Sequence, residues 1–215
     1  MGVISKISSL LMPRKQSAAP AELRDAVRVA YGKAAEDPDS KGHPFPVGRG
    51  FALEVGYTED LLASLPASAS ECFVGVSNVS LYSELKPGDA VLDVGCGAGL
   101  DVMIAAVRVG PSGRAIGVDF SQEMIDKAGA SVRQLKLKNV ELHLADAEKI
   151  PLEDASVDVV IANGIFNLNP YRQEVFSECH RVLRPGGRMY ASELVLVGPA
   201  AKTNGDACSL KDWFA

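Results

Sequence analysis

The sequence of 215 residues has few of the features that mark disulfide-rich, zinc-binding or membrane-spanning proteins. Its four cysteines, Cys72, Cys96, Cys179 and Cys208, lie far apart and form no C-x-x-C pair, which argues against a disulfide framework or a zinc site. No apolar run approaches the roughly 20 residues that a membrane-spanning helix needs. We therefore expect reduced thiols, no bound metal, no stable membrane insertion and a cytoplasmic location.

Basic charge is also scarce. The 22 Lys and Arg residues are outnumbered by 27 Asp and Glu residues, so the formal net charge at pH 7 is −5. No basic stripe is dense enough to follow a phosphate backbone, and we expect no nucleic acid as a partner. Residues 1–20 are a local exception, because they contain no acidic residue. We interpret them as a flexible tail, with a transit segment or a membrane-surface helix as the alternative.

The apolar content of 47% is that of an ordinary globular protein, and the length suits one main domain. After the tail, residues 21–84 are predicted to form a helical and lid segment. It contains a helix at Ala21–Ala35, a loop at 37–49 that is dense in Pro and Gly, and a helix at Thr58–Leu65 with Thr58 as N-cap. We expect residues 85–197 to form the core and residues 198–215 a short C-terminal tail.

Within the core, short apolar segments alternate with helical patterns. The predicted strands are Ala90–Val94, Ala115–Asp119, Val140–Ala145, Val157–Ala162 and Met189–Val195. Helices are predicted at Leu100–Val109, from Ser121 to Leu135, and from Asn169-Pro170 to Arg184. This alternation predicts an α/β protein with a Rossmann-like, doubly wound and mostly parallel sheet.

The first predicted strand runs into a glycine-rich turn. The turn reads Asp93-Val94-Gly95-Cys96-Gly97-Ala98-Gly99, and glycines there allow a tight bend and close approach of the backbone to a ligand. Asp119 stands at the end of the next strand, where its carboxylate can accept hydrogen bonds from ribose hydroxyls. Strand, turn, helix and second acid together predict a nucleoside-binding site at the carboxyl ends of the strands.

The spacing G-x-G-x-G, with an acid two residues upstream, resembles the S-adenosylmethionine (AdoMet) fingerprint of class I methyltransferases. The resemblance covers nearly all of residues 27–197. It implies that Asp93 and the glycine turn, including Gly95, Gly97, Gly99 and the small side chain of Cys96, receive the methionine end of AdoMet. It further implies that Asp119 holds the ribose, Phe120 or Met124 packs on adenine, Asp146-Ala147 meets the adenine amino group, and Asn163 faces the transferring methyl.

A narrower resemblance is to the arsenite methyltransferase family. It rests on separated segments such as Leu85-Lys86-Pro87-Gly88 and Asn163-x-x-x-Asn167-Leu168. That family implies thiolate ligands for arsenic, yet this chain has Val76 where one cysteine is expected and Gly164 where another is expected. We therefore expect a small-molecule acceptor other than arsenite.

Methyl transfer from a sulfonium depends mainly on positioning and the exclusion of water, so a general base is optional. The catalytic residues remain unknown, with Tyr31, His43 and Asn163 as candidates. His43 is considered because it lies in the Pro-rich loop. The charges of Glu178, Arg181 and Arg184 are interpreted as the solvated face of a helix.

Two alternatives stay open. One is an AdoMet-binding module without catalytic activity, and the other is a nicotinamide-linked oxidoreductase, although the glycine spacing differs from G-x-G-x-x-G. After the fifth strand no further strand is predicted, whereas the family that the chain resembles adds two. An exposed edge on the fifth strand suggests a homodimer formed through that edge.

Overall fold

The computed structural model describes residues 20–38, 40, 43, 45–167 and 169–194. In this part of the chain five helices precede the sheet: α1 (Pro20–Glu36), α2 (Arg49–Glu54), α3 (Glu59–Ala63), α4 (Ala67–Glu71) and α5 (Val79–Tyr82). The strands are β1 (Ala90–Val94), β2 (Arg114–Asp119), β3 (Val140–Leu144), β4 (Val157–Asn163) and β5 (Leu183–Ser192), and the helices between them are α6 (Leu100–Val109), α7 (Gln122–Gln134) and α8 (Arg172–Val182). Within the described ranges no helix combines the length and hydropathy that a membrane crossing requires.

The five strands form one sheet in the order β3-β2-β1-β4-β5, and all pairs are parallel. The central strand is β1, where Leu92 pairs with Ile116 on one side and with Val160 on the other. The chain winds outward from β1 to β3 and then returns to the other side of β1. The strand order therefore reverses beside β1, which confirms the predicted Rossmann-like α/β fold.

Helices cover both faces of the sheet because the central strands are apolar on both sides. All five residues of β1 are buried, whereas β3 and β5 at the two ends of the order are partly exposed. Leu92 belongs to a core cluster that includes Val175 of α8, while its neighbour Val91 belongs to a cluster that includes Val102 of α6. Successive residues of one strand thus supply two separate cores.

The N-terminal helices pack on the outer side of α6 and α7. Leu62 of α3 and Phe73 share a buried cluster with Leu100 and Met103 of α6. Thr58 caps α3 as predicted, since its side chain accepts a hydrogen bond from the backbone N–H of Leu61 at 3.3 Å. The prediction missed α2, α4 and α5, which have only four to six residues each. Such short helices depend on tertiary packing rather than on a readable apolar period.

The start of β5 was predicted wrongly. The segment Arg184-Pro185-Gly186-Gly187 was expected to be a turn before a strand at Met189–Val195, but β5 already begins at Leu183, which pairs with Val157. The pairing then shifts register so that Val159 meets Arg188. The Pro-Gly-Gly segment is thus an irregularity within the pairing, and Gly186 takes a φ of +81° there. Residue 195 lies outside the described residues.

Two of the three charged side chains interpreted as the solvated face of a helix, Glu178 and Arg181, instead hold a neighbouring loop. Arg181 donates five hydrogen bonds of 2.6 to 2.9 Å, to Glu178, to Asp154 and to the carbonyl oxygens of Ile150 and Leu152. The contacts of Arg181 fasten the loop between β3 and β4 onto α8. Arg184 lies in β5, is exposed, and pairs with Asp158 of β4.

Candidate functional site

A cavity opens at the carboxyl ends of the strands, beside the point where the strand order reverses. Its walls come from the ends of β1, β2, β3 and β4, from α1, and from the segment between α4 and α5. The predicted site residues on these walls are Tyr31, Asp93, Gly95, Cys96, Gly97, Asp119, Phe120, Asp146, Ala147 and Asn163. A parallel sheet brings these residues together because its strands all end at the same edge.

The glycine turn after β1 has a backbone that other residues would strain. Gly95 has a φ of +73° and Gly97 a φ of +51°, both in the left-handed region. A Cβ on Gly95 would lie 2.4 Å from Cγ2 of Ile165, which also lines the cavity. The backbone N–H groups of Gly95 and Cys96 both donate to the carbonyl oxygen of Val118, which ties the turn to β2. The glycines therefore bring bare backbone to the cavity wall.

Asp93 supplies a buried carboxylate with one free oxygen. Its residue is 2% exposed, and its Oδ2 has no hydrogen-bond partner among the described residues. Burial raises the pKa of Asp93 well above its usual value, and the negative charges of Asp101 and Asp119 raise it further. A buried carboxylate without a partner is costly, so a cationic or hydrogen-bond-donating ligand would stabilise it.

Asp119 ends β2 and is fixed by two backbone groups. Its Oδ2 accepts a hydrogen bond from the N–H of Gly97 and its Oδ1 accepts one from the N–H of Ser121, each at 2.9 Å. Burial raises the pKa of Asp119, while these N–H donors act in the opposite direction. Each carboxylate oxygen keeps a lone pair beyond the one that it uses here, so the oriented group can still accept hydroxyl donors.

Asn163 at the end of β4 has no hydrogen-bonding capacity left. Its Oδ1 accepts from the N–H groups of Val76 and Ser77, and its Nδ2 donates to the carbonyl oxygen of Ser77 and to Oδ2 of Asp101. Asp101 in turn accepts a hydrogen bond of 2.5 Å from the hydroxyl of Tyr57. The expectation that Asn163 presents its amide to the transferring methyl is thus replaced by a role in holding the wall. Asp101 was missed because only the fold shows that it is buried beside β4.

Helix α1 covers one side of the cavity. Arg24 forms an ion pair with Asp146, and Arg28 lies 3.7 Å from the same carboxylate. The guanidinium of Arg28 also lies 5.5 Å from the ring centroid of Phe120. Tyr31 lines the cavity, and burial together with the charge of Asp119 raises the pKa of its phenol, so that it stays neutral. The role of Arg24 was not predicted, since its partner lies far away in the sequence.

Three predicted site residues do not line the cavity. Gly99 faces α7 rather than the cavity, because a Cβ added to it would lie 3.0 Å from Cβ of Ala128. Met124 is 1% exposed and packs behind Gly97, so Phe120 alone of the two adenine candidates reaches the wall. The ring of His43 bonds to the carbonyl oxygen of Asp37 at 2.8 Å, which turns it to its own loop rather than the cavity.

The comparison with protein families agrees with this geometry. Residues 85–213 match the model of a family described as a methyltransferase domain. The chain belongs to this methyltransferase domain family. More specifically, it is of class I, as its five-stranded parallel sheet and its glycine turn indicate.

Curated relatives extend the comparison. An arsenite methyltransferase of Halobacterium salinarum is 43% identical over 145 residues, which are 67% of this chain and 37% of that protein. A demethylmenaquinone methyltransferase of Lactobacillus johnsonii is 41% identical over 49% of this chain and 44% of that protein. The chain thus spans less than half the length of these curated relatives.

A solved structure shows the same fold. It is an arsenic(III) S-adenosylmethionine methyltransferase from Chlamydomonas reinhardtii, 35% identical in sequence, with a TM-score of 0.58. The match covers 62% of this chain and 47% of that chain.

Two cysteines of this methyltransferase domain lie on the cavity wall, and both are buried. Cys72 belongs to a small cluster with Ala98 and Met124, and burial raises the pKa of its thiol. Cys96 packs against Gly117, and burial raises its thiol pKa as well. Both cysteines therefore favour the thiol over the thiolate that binds soft metals and metalloids.

The charge of the cavity is one-sided. Five carboxylates line it, those of Asp93, Asp101, Asp119, Asp146 and Glu148, and Arg24 is the only Lys, Arg or His residue among its described lining. Arg24 is already paired with Asp146. The remaining field is negative and favours a ligand that carries positive charge.

Proposed function

We propose that this chain is the catalytic domain of an AdoMet-dependent methyltransferase that acts on a small-molecule acceptor. The observation that carries the proposal is the acidic cavity around a glycine turn, where a buried oxygen of Asp93 has no hydrogen-bond donor among the residues that the structure describes. AdoMet carries an ammonium and a sulfonium group beside one carboxylate, so its net charge suits this cavity. A dinucleotide such as NAD would bring a pyrophosphate into the same negative field.

The residues present fit AdoMet in detail. Asp93 would accept hydrogen bonds from the amino group of the methionine end, and Gly95 and Gly97 line the cavity beside it with backbone alone. Asp119, held by two backbone N–H groups, would accept the ribose hydroxyls. Phe120 offers a ring face for the adenine, and Asp146 lies on the wall where the adenine amino group is expected.

Bound AdoMet would supply an electrophilic methyl group on a sulfonium sulfur. The protein then has to orient the acceptor and exclude water, because the sulfur leaves as a neutral thioether and needs no proton. Helix α1 carries the half-buried Tyr31 and is held by the ion pair of Arg24 with Asp146, and it closes one side of the cavity against solvent. A neutral Tyr31 phenol can donate a hydrogen bond to the methyl acceptor, but it cannot act as a base that removes a proton from the methyl acceptor.

The acceptor is proposed to be a small molecule other than arsenite. The relatives that are named arsenite methyltransferases suggest arsenic as one candidate. Against it, Val76 and Gly164 occupy the positions where the resemblance implied cysteines, and burial keeps the two cavity cysteines as thiols. Arsenic(III) binding would need thiolates within reach of one another.

The test uses AdoMet labelled in its methyl group, the purified chain and a cell extract as the source of acceptors. Transfer of the label to a small molecule supports the proposal, and mass spectrometry of that product identifies the acceptor class. Arsenite with added thiol is a parallel assay. Tight AdoMet binding without transfer in either assay would instead favour a binding module that lacks catalysis, and preference for NAD in a competition titration would favour an oxidoreductase.

A further inference from the structure

The side chain of Asn163 acts on the backbone of residues 76–77 as a second peptide group would. Its Oδ1 accepts hydrogen bonds of 2.8 Å from the N–H of Val76 and 3.1 Å from that of Ser77. Its Nδ2 donates one of 2.7 Å to the carbonyl oxygen of Ser77. Three bonds to two adjacent residues fix both the position and the direction of this segment.

The amide of Asn163 is itself held in one orientation. Its second N–H donates to Oδ2 of Asp101 at 3.0 Å, and Asp101 is bound on its other oxygen by the hydroxyl of Tyr57. An amide turned by 180° would set its oxygen against two acceptors, the carboxylate of Asp101 and the carbonyl of Ser77. The arrangement therefore distinguishes Asn from an isosteric Asp at this position.

The held segment also fits closely against the cavity. Gly75 lines the cavity, and a Cβ there would lie 2.5 Å from Nδ2 of Asn163. On the far side, the hydroxyl of Ser77 bonds to that of Ser192 in β5 at 2.6 Å. The segment is thus fastened to the ends of two strands, β4 and β5.

The strand order of the sheet indicates which part of the ligand residues 75–77 face. Asp119 ends β2 and Asn163 ends β4, and these strands flank β1 on opposite sides. If the ribose lies at Asp119, the nucleoside occupies the β2 side and the acceptor enters on the β4 side. We propose that Asn163 is a positioning residue that holds residues 75–77 as the acceptor-side wall of the cavity. This inference rests on the proposed methyltransferase function.

The first test needs no ligand. Amide hydrogen exchange is measured for the free protein and for the variants Asn163→Ala and Asn163→Asp, each with its unfolding transition recorded. The amides of Val76 and Ser77 are expected to exchange about tenfold faster in Asn163→Ala, because both lose their acceptor. Asn163→Asp keeps the side-chain volume but removes two hydrogen-bond donors, and it is also expected to speed hydrogen exchange at Val76 and Ser77.

The matched control is Asn139→Asp. The Nδ2 of Asn139 also donates to two carbonyl oxygens, those of Ala106 and Gly110, each at 2.9 Å. This variant removes two donors from a site away from the cavity, so exchange at Val76 and Ser77 should not change. Equal exchange in the Asn163 variants and in wild type would overturn the proposal, and so would loosening by the control.

The second test separates acceptor positioning from cofactor binding. S-adenosylhomocysteine affinity is measured by calorimetry, and methyl transfer is measured with labelled AdoMet at saturation and a cell extract as acceptor source. Asn163→Ala should bind S-adenosylhomocysteine within about threefold of wild type while transfer falls about tenfold or more. An equal loss of both, or unchanged transfer, contradicts the positioning role. If wild type neither binds nor transfers, the proposed function fails, and the exchange result alone decides whether Asn163 holds the segment.

Discussion

Gly95 offers the sharpest perturbation of the glycine turn, through the substitution Gly95→Ala. The φ of +73° costs an alanine about 1–2 kcal/mol, since L-residues disfavour the left-handed region. The new Cβ would also lie 2.4 Å from Cγ2 of Ile165, and such overpacking adds about 1–3 kcal/mol. Ile165 can relieve the clash only by moving, and it lines the cavity.

Gly186 provides a matched control for this substitution. Its φ of +81° is close to that of Gly95, but it is exposed and a Cβ there would meet nothing within 4 Å. Gly186→Ala should therefore destabilise the protein by the conformational cost alone, about 1–2 kcal/mol, and leave ligand affinity unchanged. Gly95→Ala should cost about 2–5 kcal/mol and weaken S-adenosylhomocysteine binding at least about tenfold, which corresponds to about 1.4 kcal/mol.

The assays are urea unfolding and calorimetric titration with S-adenosylhomocysteine. A double-mutant cycle with Ile165→Ala isolates the clash, because removal of that side chain should recover part of the stability lost in Gly95→Ala. Equal destabilisation by the two glycine substitutions would refute the claim of a close contact. Wild-type affinity in Gly95→Ala would refute the claim that this turn faces the cofactor.

Three further predictions concern charge and packing. Because burial raises the pKa of Asp93, ionisation of its carboxyl group lowers the free energy of unfolding of the ligand-free protein as pH rises from about 4. Asp93→Asn should make this decrease shallower when urea unfolding is measured against pH. An unchanged pH dependence would exclude Asp93 as its cause. Arg181→Lys removes the guanidinium that donates five hydrogen bonds and should lower the free energy of unfolding in urea by about 1–3 kcal/mol. The control Arg133→Lys changes an exposed arginine and should leave stability nearly unchanged. Equal effects of the two substitutions would contradict the role of Arg181 in holding the loop between β3 and β4. In Gly117→Ala the new Cβ would lie 2.8 Å from Sγ of Cys96, so thermal unfolding should show a loss of about 1–3 kcal/mol, and wild-type stability would show that the contact can relax freely.

The sheet could be predicted from the sequence because its signals are local. The segment Ala90–Val94 is a short apolar run followed at once by glycines, and it forms β1 with the predicted bounds. Ser121 before α7 is likewise a local capping signal, and its Oγ accepts from the N–H of Met124. The glycine turn and Asp119 followed from the same kind of pattern, because parallel strands end at one edge.

The contacts that shape the site could not be predicted in this way. Asn163 forms hydrogen bonds with Val76 and Ser77, which precede it in the sequence by 87 and 86 positions. The ion pair of Arg24 with Asp146 joins the first helix to the end of the third strand. No local pattern encodes such distances. Local reasoning also failed at Pro185-Gly186, where turn-forming residues lie inside a paired strand. Dimerisation through the fifth strand stays a prediction.

The most direct measurement is a calorimetric titration of wild type and of Asp119→Ala with AdoMet, with NAD in parallel. We predict that wild type binds AdoMet and not NAD, and that Asp119→Ala binds AdoMet at least about tenfold more weakly, because the oriented carboxylate would no longer accept the ribose hydroxyls. Equal AdoMet affinity for both proteins, or no AdoMet binding by wild type, would contradict the assignment of this cavity as a cofactor site.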